Sequence, residues 1–179
     1  MMKTATTLLL VLLAVVLSVS WAGVSSAEEK EANSENTTKD KLIMQVYVKL
    51  VQENIVDLKG PAGTVKMLPF TGTVEGEIFN GIVAPWGVDT QVTNQVGVRH
   101  MSARYMLVGK DNQGNDCKIY VDNNGWFTNG EQPRPFITVP TFYTDSPVLS
   151  EYLHQNKFRG EGHPGGNGTV TIKFFEIIP

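Results

Sequence analysis

The chain has 179 residues, with 15 Lys and Arg against 18 Asp and Glu and a formal net charge of −3. That mildly acidic balance lacks the basic footprint of a nucleic-acid binder, and the lone Cys117 excludes an internal disulfide. A domain of roughly 150 residues buries about 68–70% of its unfolded surface, enough for a core without covalent staples.

The N-terminus carries Lys3, then an unbroken apolar run from Leu8 to Leu17, then the small residues Ser25 and Ala27. A positive start, a short apolar core and small residues before the cut form a secretory signal. Residues 1–27 are therefore expected to leave by cleavage near Ala27, giving a periplasmic or extracellular protein with no membrane partner. The competing reading keeps residues 8–24 as an anchor, since that stretch nears the roughly 20 residues a span needs. Residues 28–40, EEKEANSENTTKD, hold almost no large apolar side chain. They cannot offset the entropy of ordering and read as a flexible acidic tether. The folded domain is expected over residues 41–179.

From Lys41 the period is two. In KLIMQVYVKLV, Leu42, Met44, Val46, Val48 and Leu50 share one face, which predicts a half-buried strand. FTGTVEGEIF alternates in the same way. VGVRHMSARYMLVGK is a long strand with apolar residues on both faces, so its inner face is not decided by pattern. CKIYVDN, PFITVPTFY and TVTIKFFEII follow. Asp111 to Asp116, DNQGND, and Asn123–Asn124–Gly125 both suit hairpin turns, because Asn and Gly tolerate positive φ. In TDSPVLSEYLHQN, Ser146 suits a cap and Pro147 the first helical position, while Leu149 and Leu153 share a face. The sum is an all-β chain: a closed antiparallel β-barrel of about eight to ten strands with one short helix as lid or plug.

Several motifs lose to plainer readings. Gly160, Gly162 and Gly165 spell a dinucleotide fingerprint, but a helix precedes them and a strand follows, the reverse of the required order. Counted from Asp111, a calcium loop needs Gly at the sixth position and Glu at the twelfth; Asp116 and Asp122 stand there. His100, His154 and His163 lack metal-ligand spacing. Cys117 reads as a buried structural thiol. No cofactor and no metal are expected. Asn36 and Asn167 lie in N-x-S/T contexts, which matter only in a host that glycosylates exported proteins. If the Val170, Ile172, Phe174 face of the last strand is the core, Glu176 also points inward and must pair. Arg104, mid-strand, suits a buried ion pair or an anion site.

FTGTVEGEIFNGIVAPWGVDTQ, SARYMLVGKDNQGNDCKIYVDNNG, PFITVPTFYTDS, YLHQNKFRGEG and TIKFFEI together resemble, from Leu42 to Ile177, the family known as domain of unknown function 3237. That family is similar to small closed β-barrels of the calycin type, whose interior can hold a small ligand. The resemblance aligns Glu75–Gly76, Pro85 to Asp89, Ala103–Arg104–Tyr105, Asp111 with Gly114, Asn123 with Gly125, and Phe142, Phe158 and Gly160 with family elements. Trp86 departs from the pattern, which has glycine there, and an indole at that place would narrow a barrel mouth.

These readings converge on an exported barrel that binds a small, largely apolar ligand. Its polar anchors are expected to be Asp89, Arg104, Tyr105 and Glu161, with Trp86 and Phe142 as apolar walls. Two alternatives stand beside it. In one, Asp89 or Glu161 is the base of an isomerase or lyase acting on a small aromatic or terpenoid-like compound, with Arg104 and Tyr105 steadying an enolate-like oxygen. In the other, the barrel is an envelope interaction module with no pocket.

Overall fold

The computed structural model describes residues 40–128 and 132–179. The expected signal segment, and all of the expected tether except Asp40, lie outside them. Ten strands follow in chain order: β1 Lys41–Leu50, β2 Val56–Gly60, β3 Gly63–Gly76, β4 Phe79–Val83, β5 Gly87–Asn94, β6 Arg99–Asp111, β7 Asp116–Phe127, β8 Phe136–Thr144, β9 Phe158–Pro164 and β10 Thr169–Glu176. One short helix, α1 Ser150–Leu153, joins β8 to β9.

All pairings are antiparallel. The order runs β1, β10, β9, β8, β7, β6, and β3 returns to β1, which closes the ring. β4 and β5 share one place between β3 and β6. Val83 lies opposite Leu107, and after the break at Ala84–Trp86, Val88 lies opposite Arg104. β2 continues the place of β1 along β3, with Leu50 opposite Phe70 and Val56 opposite Met67. The result is a closed eight-stranded barrel with two extra strands. Closure gives every strand of the ring two neighbours and removes the edges that invite aggregation.

Alternation then fills the interior. Met44, Val46 and Val48 of β1 point inward as expected. Leu42 does not: it is exposed, and Ile43 is fully buried instead. The register shift between Leu42 and Met44 is a bulge, and one extra residue turns the side chains before it to the opposite face.

The two ends of the barrel differ. At one end, Phe142 packs edge-on against Phe158 and Phe174, with centroids 5.4 and 5.2 Å apart. Leu149 and Leu153, the N-cap and the last residue of α1, are buried, so the helix packs on the core at this end. The helix N-cap is Leu149 rather than Ser146, with no side-chain cap; Ser146 lies three residues earlier, its Oγ accepting from the Leu149 N–H at 3.3 Å. The same hydroxyl donates to the buried carboxyl of Asp111 at 2.8 Å, tying the helix to the β6–β7 hairpin. That hairpin turns at Asp111–Asp116 as expected, with Gly114 at φ +84. Asn123–Asn124–Gly125, by contrast, is no turn. It lies inside β7, opposite Ala103, Ser102 and Met101.

Candidate functional site

The described residues leave the end opposite α1 open. A cavity of about 160 Å3 lies there, between the close of β1, the start of β10 and the inner faces of β5 to β8. Val48, Leu50, Leu68, Phe70, Met101, Phe136, Val170 and Ile172 make most of its wall. Asp89, Gln91, Tyr105, Asn123, Gln132 and Thr138 add polar atoms.

Register explains why these polar residues meet. Asp89 of β5 lies opposite Ala103 of β6, and Ala103 lies opposite Asn123 of β7. Strands in a sheet are about 4.8 Å apart, so the outer two Cα atoms of this row are separated by roughly 10 Å. Ala103 between them contributes only a methyl group, which leaves space above it. Tyr105 stands two residues along β6 and so faces the same side. Thr138 stands two residues before Pro140, which lies opposite Asn123.

Four of these side chains carry an atom that is shut off from solvent and has no hydrogen-bond partner among the described residues. They are Asp89 Oδ1, Tyr105 OH, Asn123 Oδ1 and Thr138 Oγ1. Buried polar groups are almost always paired, so four orphans around one cavity are exceptional. The other Asp89 oxygen, Oδ2, accepts from Gln91 Nε2 at 2.7 Å, which holds the carboxylate in place. Burial pushes the Asp89 pKa up, against the opposing pull of Gln91, Arg99 and His100. Burial also pushes the Tyr105 phenol up, so that it stays a neutral donor. Phe70 packs edge-on to Tyr105 at 5.3 Å and fixes its ring.

The glycines of FRGEGHPGG find their purpose at this wall. A Cβ on Gly160 would lie 2.2 Å from Thr138 Oγ1 and 3.5 Å from Asn123 Oδ1. A Cβ on Gly162 would lie 1.9 Å from the Phe136 ring. Both positions must be bare for the cavity side chains to fit against β9.

The structure thus brings two of the six expected site residues, Asp89 and Tyr105, to the cavity and leaves four elsewhere. Arg104 points outward: its side chain is 62% exposed, and its Nε donates to Asp122 Oδ2 at 3.1 Å. Adjacent strand residues face opposite sides, so Arg104 and Tyr105 cannot share the interior. Trp86 sits at the β4–β5 break and is 57% exposed. Phe142 belongs to the aromatic core at the α1 end. Glu161 alternates outward between Gly160 and Gly162 and pairs with Arg159 at 2.6 Å and His163 at 3.2 Å. Burial alone would raise its pKa, but these two partners outweigh burial and hold the carboxyl below its usual range. Glu176 does turn in at its strand end and is paired there, accepting from Tyr152 OH and Lys157 Nζ, each at 2.7 Å.

Asn123 and Thr138 were missed, because turn chemistry and a polar lining use the same residue types. Their signal is strand alternation in phase with Val121 and Pro140. Among the described residues, no three His, Cys, Asp or Glu side chains are placed to hold a metal ion.

The sequence pattern of the family described as Protein of unknown function (DUF3237) matches residues 39–177. The chain belongs to this family. An UPF0311 protein of Clostridium acetobutylicum is 32% identical over 133 residues, covering 66% of this chain and 78% of that protein. The crystal structure of a protein of unknown function from the same species superimposes with a TM-score of 0.62 at 27% identity, over 77% of this chain and 98% of the other. A β-barrel-like protein from Acinetobacter baumannii gives 0.61 at 20% identity, over 77% and 94%. A protein of unknown function from Rhodopseudomonas palustris gives 0.59 at 23% identity, over 77% and 96%. The last two speak for the fold alone. The β-barrel is therefore shared with these solved structures.

Proposed function

We propose that this DUF3237 protein is exported and binds a one-ring, largely apolar molecule carrying a hydroxyl or carbonyl oxygen in the open end of its barrel. One observation carries the reading: four residues that line one mostly apolar cavity each hold a buried polar atom with no partner among the described residues. Leaving a buried donor or acceptor unpaired costs about 1–3 kcal/mol, so a ligand that pairs two of them gains orientation and affinity together. Asp89 Oδ1 and Asn123 Oδ1 accept, Tyr105 OH donates, and Thr138 Oγ1 does either. Size sets the class. An apolar cavity of about 150 Å3 takes benzene, so about 160 Å3 suits a single ring. The cavity also weighs against an interaction module that lacks a pocket. Export is supported by Lys3, the Leu8–Leu17 run and the Ser25 and Ala27 exit.

Titration with phenol and with benzene, followed by the methyl signals of Ala103 and Met101, tests the binding. Phenol is expected to bind at least tenfold more tightly than benzene, and Tyr105→Phe to narrow that gap. Arg104→Ala, on the outer face, is expected to leave both affinities unchanged. Equal affinities in the parent protein, or methyl signals that never move, would refute the reading. N-terminal sequencing of the protein released by its host is expected to begin at Glu28. A chain still beginning at Met1 would refute export by cleavage.

A further inference from the structure

We infer that the same cavity moves a proton within its ligand, isomerising a one-ring β,γ-unsaturated ketone to its conjugated isomer, with Asp89 as base and Tyr105 as donor to the enolate oxygen. This rests on the binding reading above and adds chemistry to it.

Asp89 is held through Oδ2 by Gln91, and the Ser102 backbone N–H also favours its charged form. Its Oδ1 is buried with no partner among the described residues. A carboxylate facing apolar walls is a stronger base than one in water, because burial penalises its charged form. Tyr105 lies on the neighbouring strand, two residues beyond the residue opposite Asp89. Such diagonal positions are about 7–8 Å apart between Cα atoms, close enough for both groups to reach one small molecule. Asp89 Oδ1 and Tyr105 OH are both buried without a partner among the described residues, and both residues line the cavity. The described lining includes no Lys or Cys that could form a covalent intermediate. Proton transfer is the chemistry these groups carry.

The step balances without a co-reactant. The Asp89 carboxylate takes a proton from the carbon between the carbonyl and the alkene. The C–H pair becomes a new C=C bond, and the carbonyl pair moves onto oxygen as a dienolate. Tyr105 OH donates a hydrogen bond to that oxygen, where negative charge has developed. The Asp89 carboxylic acid then returns the proton to the far alkene carbon. The carbonyl re-forms, the double bond becomes conjugated, and Asp89 is again a carboxylate.

Cyclohex-3-en-1-one is the probe. The full-length chain, processed by its host, is mixed with it, and the absorbance of the conjugated enone is followed. A rate well above buffer is expected. Asp89→Asn is expected to lower kcat by about 10²–10⁴-fold, the usual contribution of a general base. Tyr105→Phe is expected to lower it by about 10²–10³-fold, as for loss of one oxyanion donor, with KM changing far less. The parent rate is expected to rise with pH as Asp89 ionises. Thermal melts of both variants and the Ala103 methyl shift on adding the ketone report folding and binding separately. If the ketone shifts Ala103 but the parent protein gives no rate above buffer, the isomerase inference fails and binding stands. If folded Asp89→Asn isomerises as fast as the parent, the assigned base is wrong. If the ketone moves no cavity signal while phenol does, the isomerase inference fails and binding stands; if neither moves a cavity signal, both readings fail.

Discussion

Asp89 buries a carboxylate oxygen without a partner among the described residues, and that burial has a thermodynamic signature. The unfolded chain ionises the group at an ordinary carboxylate pKa, and the folded chain at a higher one, chiefly because burial disfavours the charge. A group whose folded pKa is raised stabilises the fold at low pH and loses that contribution as pH rises through the folded value. Charged Asp89 is therefore a handicap at neutral pH. Asp89→Asn is expected to melt above the parent at pH 7, with the gap closing as pH falls toward the ordinary value of about 3.9. Calorimetry of both proteins at the two pH values checks this, and a variant that melts lower at pH 7 would show the carboxylate to be well solvated or paired. Gly160 makes the complementary case. Its added methyl would meet Thr138 Oγ1 at 2.2 Å. Gly160→Ala is expected to lose about 1–3 kcal/mol in urea titration through overpacking, and to bind phenol more weakly. Wild-type affinity in a folded variant would place Thr138 and Asn123 outside the binding surface.

Elements divide the barrel into a structural end and an open end. Phe142, Phe158 and Phe174 from β8, β9 and β10 meet edge-on, and none of the three lines the cavity. Phe142→Ala is expected to cost about 3–5 kcal/mol by chemical denaturation, as for other buried Phe truncations. Phe142→Leu is expected to lose less and to keep phenol affinity, since the residue does not line the cavity. Reduced affinity in the Leu variant would restore Phe142 as a wall. The β6–β7 hairpin was legible because DNQGND combines a turn glycine with an Asp that accepts from the Gln113 and Asn115 N–H groups, each at 3.0 Å. The phase of β6 was not. Apolar residues on both of its faces leave alternation without a preferred side, so Arg104 and Tyr105 looked equally able to face inward. Asn123–Asn124–Gly125 misled for a related reason. Asn is common in turns for its local hydrogen bonding, yet here Asn124 Nδ2 donates to Asp122 on the outer face while Asn123 lines the cavity.

For the whole molecule, closure is the decisive act. β1, first in the chain, lies between β10, last in the chain, and β3. Ending the chain at Gly168 removes β10 and leaves β1 and β9 each with an unpaired edge beside an opened core. Such a chain is expected to lose its cooperative thermal transition, followed by circular dichroism in the strand region. A sharp transition near that of the full chain would show that the sheet stands without closing.

The sequence by itself determined six of the ten described strands (β1, β3, β6, β7, β8 and β10), the hairpin at Asp111–Asp116, the short helix with its buried Leu149 and Leu153, and the barrel class, because these follow from local period and turn chemistry; β9 did not show, because its glycines Gly160 and Gly162 read as a connection. Only the tertiary structure decided which side of β6 faces inward and which four polar atoms share a cavity. Period two states that neighbours point opposite ways but not which way. Direction is set by the register of β5, β6, β7 and β8 around a ring, through contacts between residues far apart in the chain.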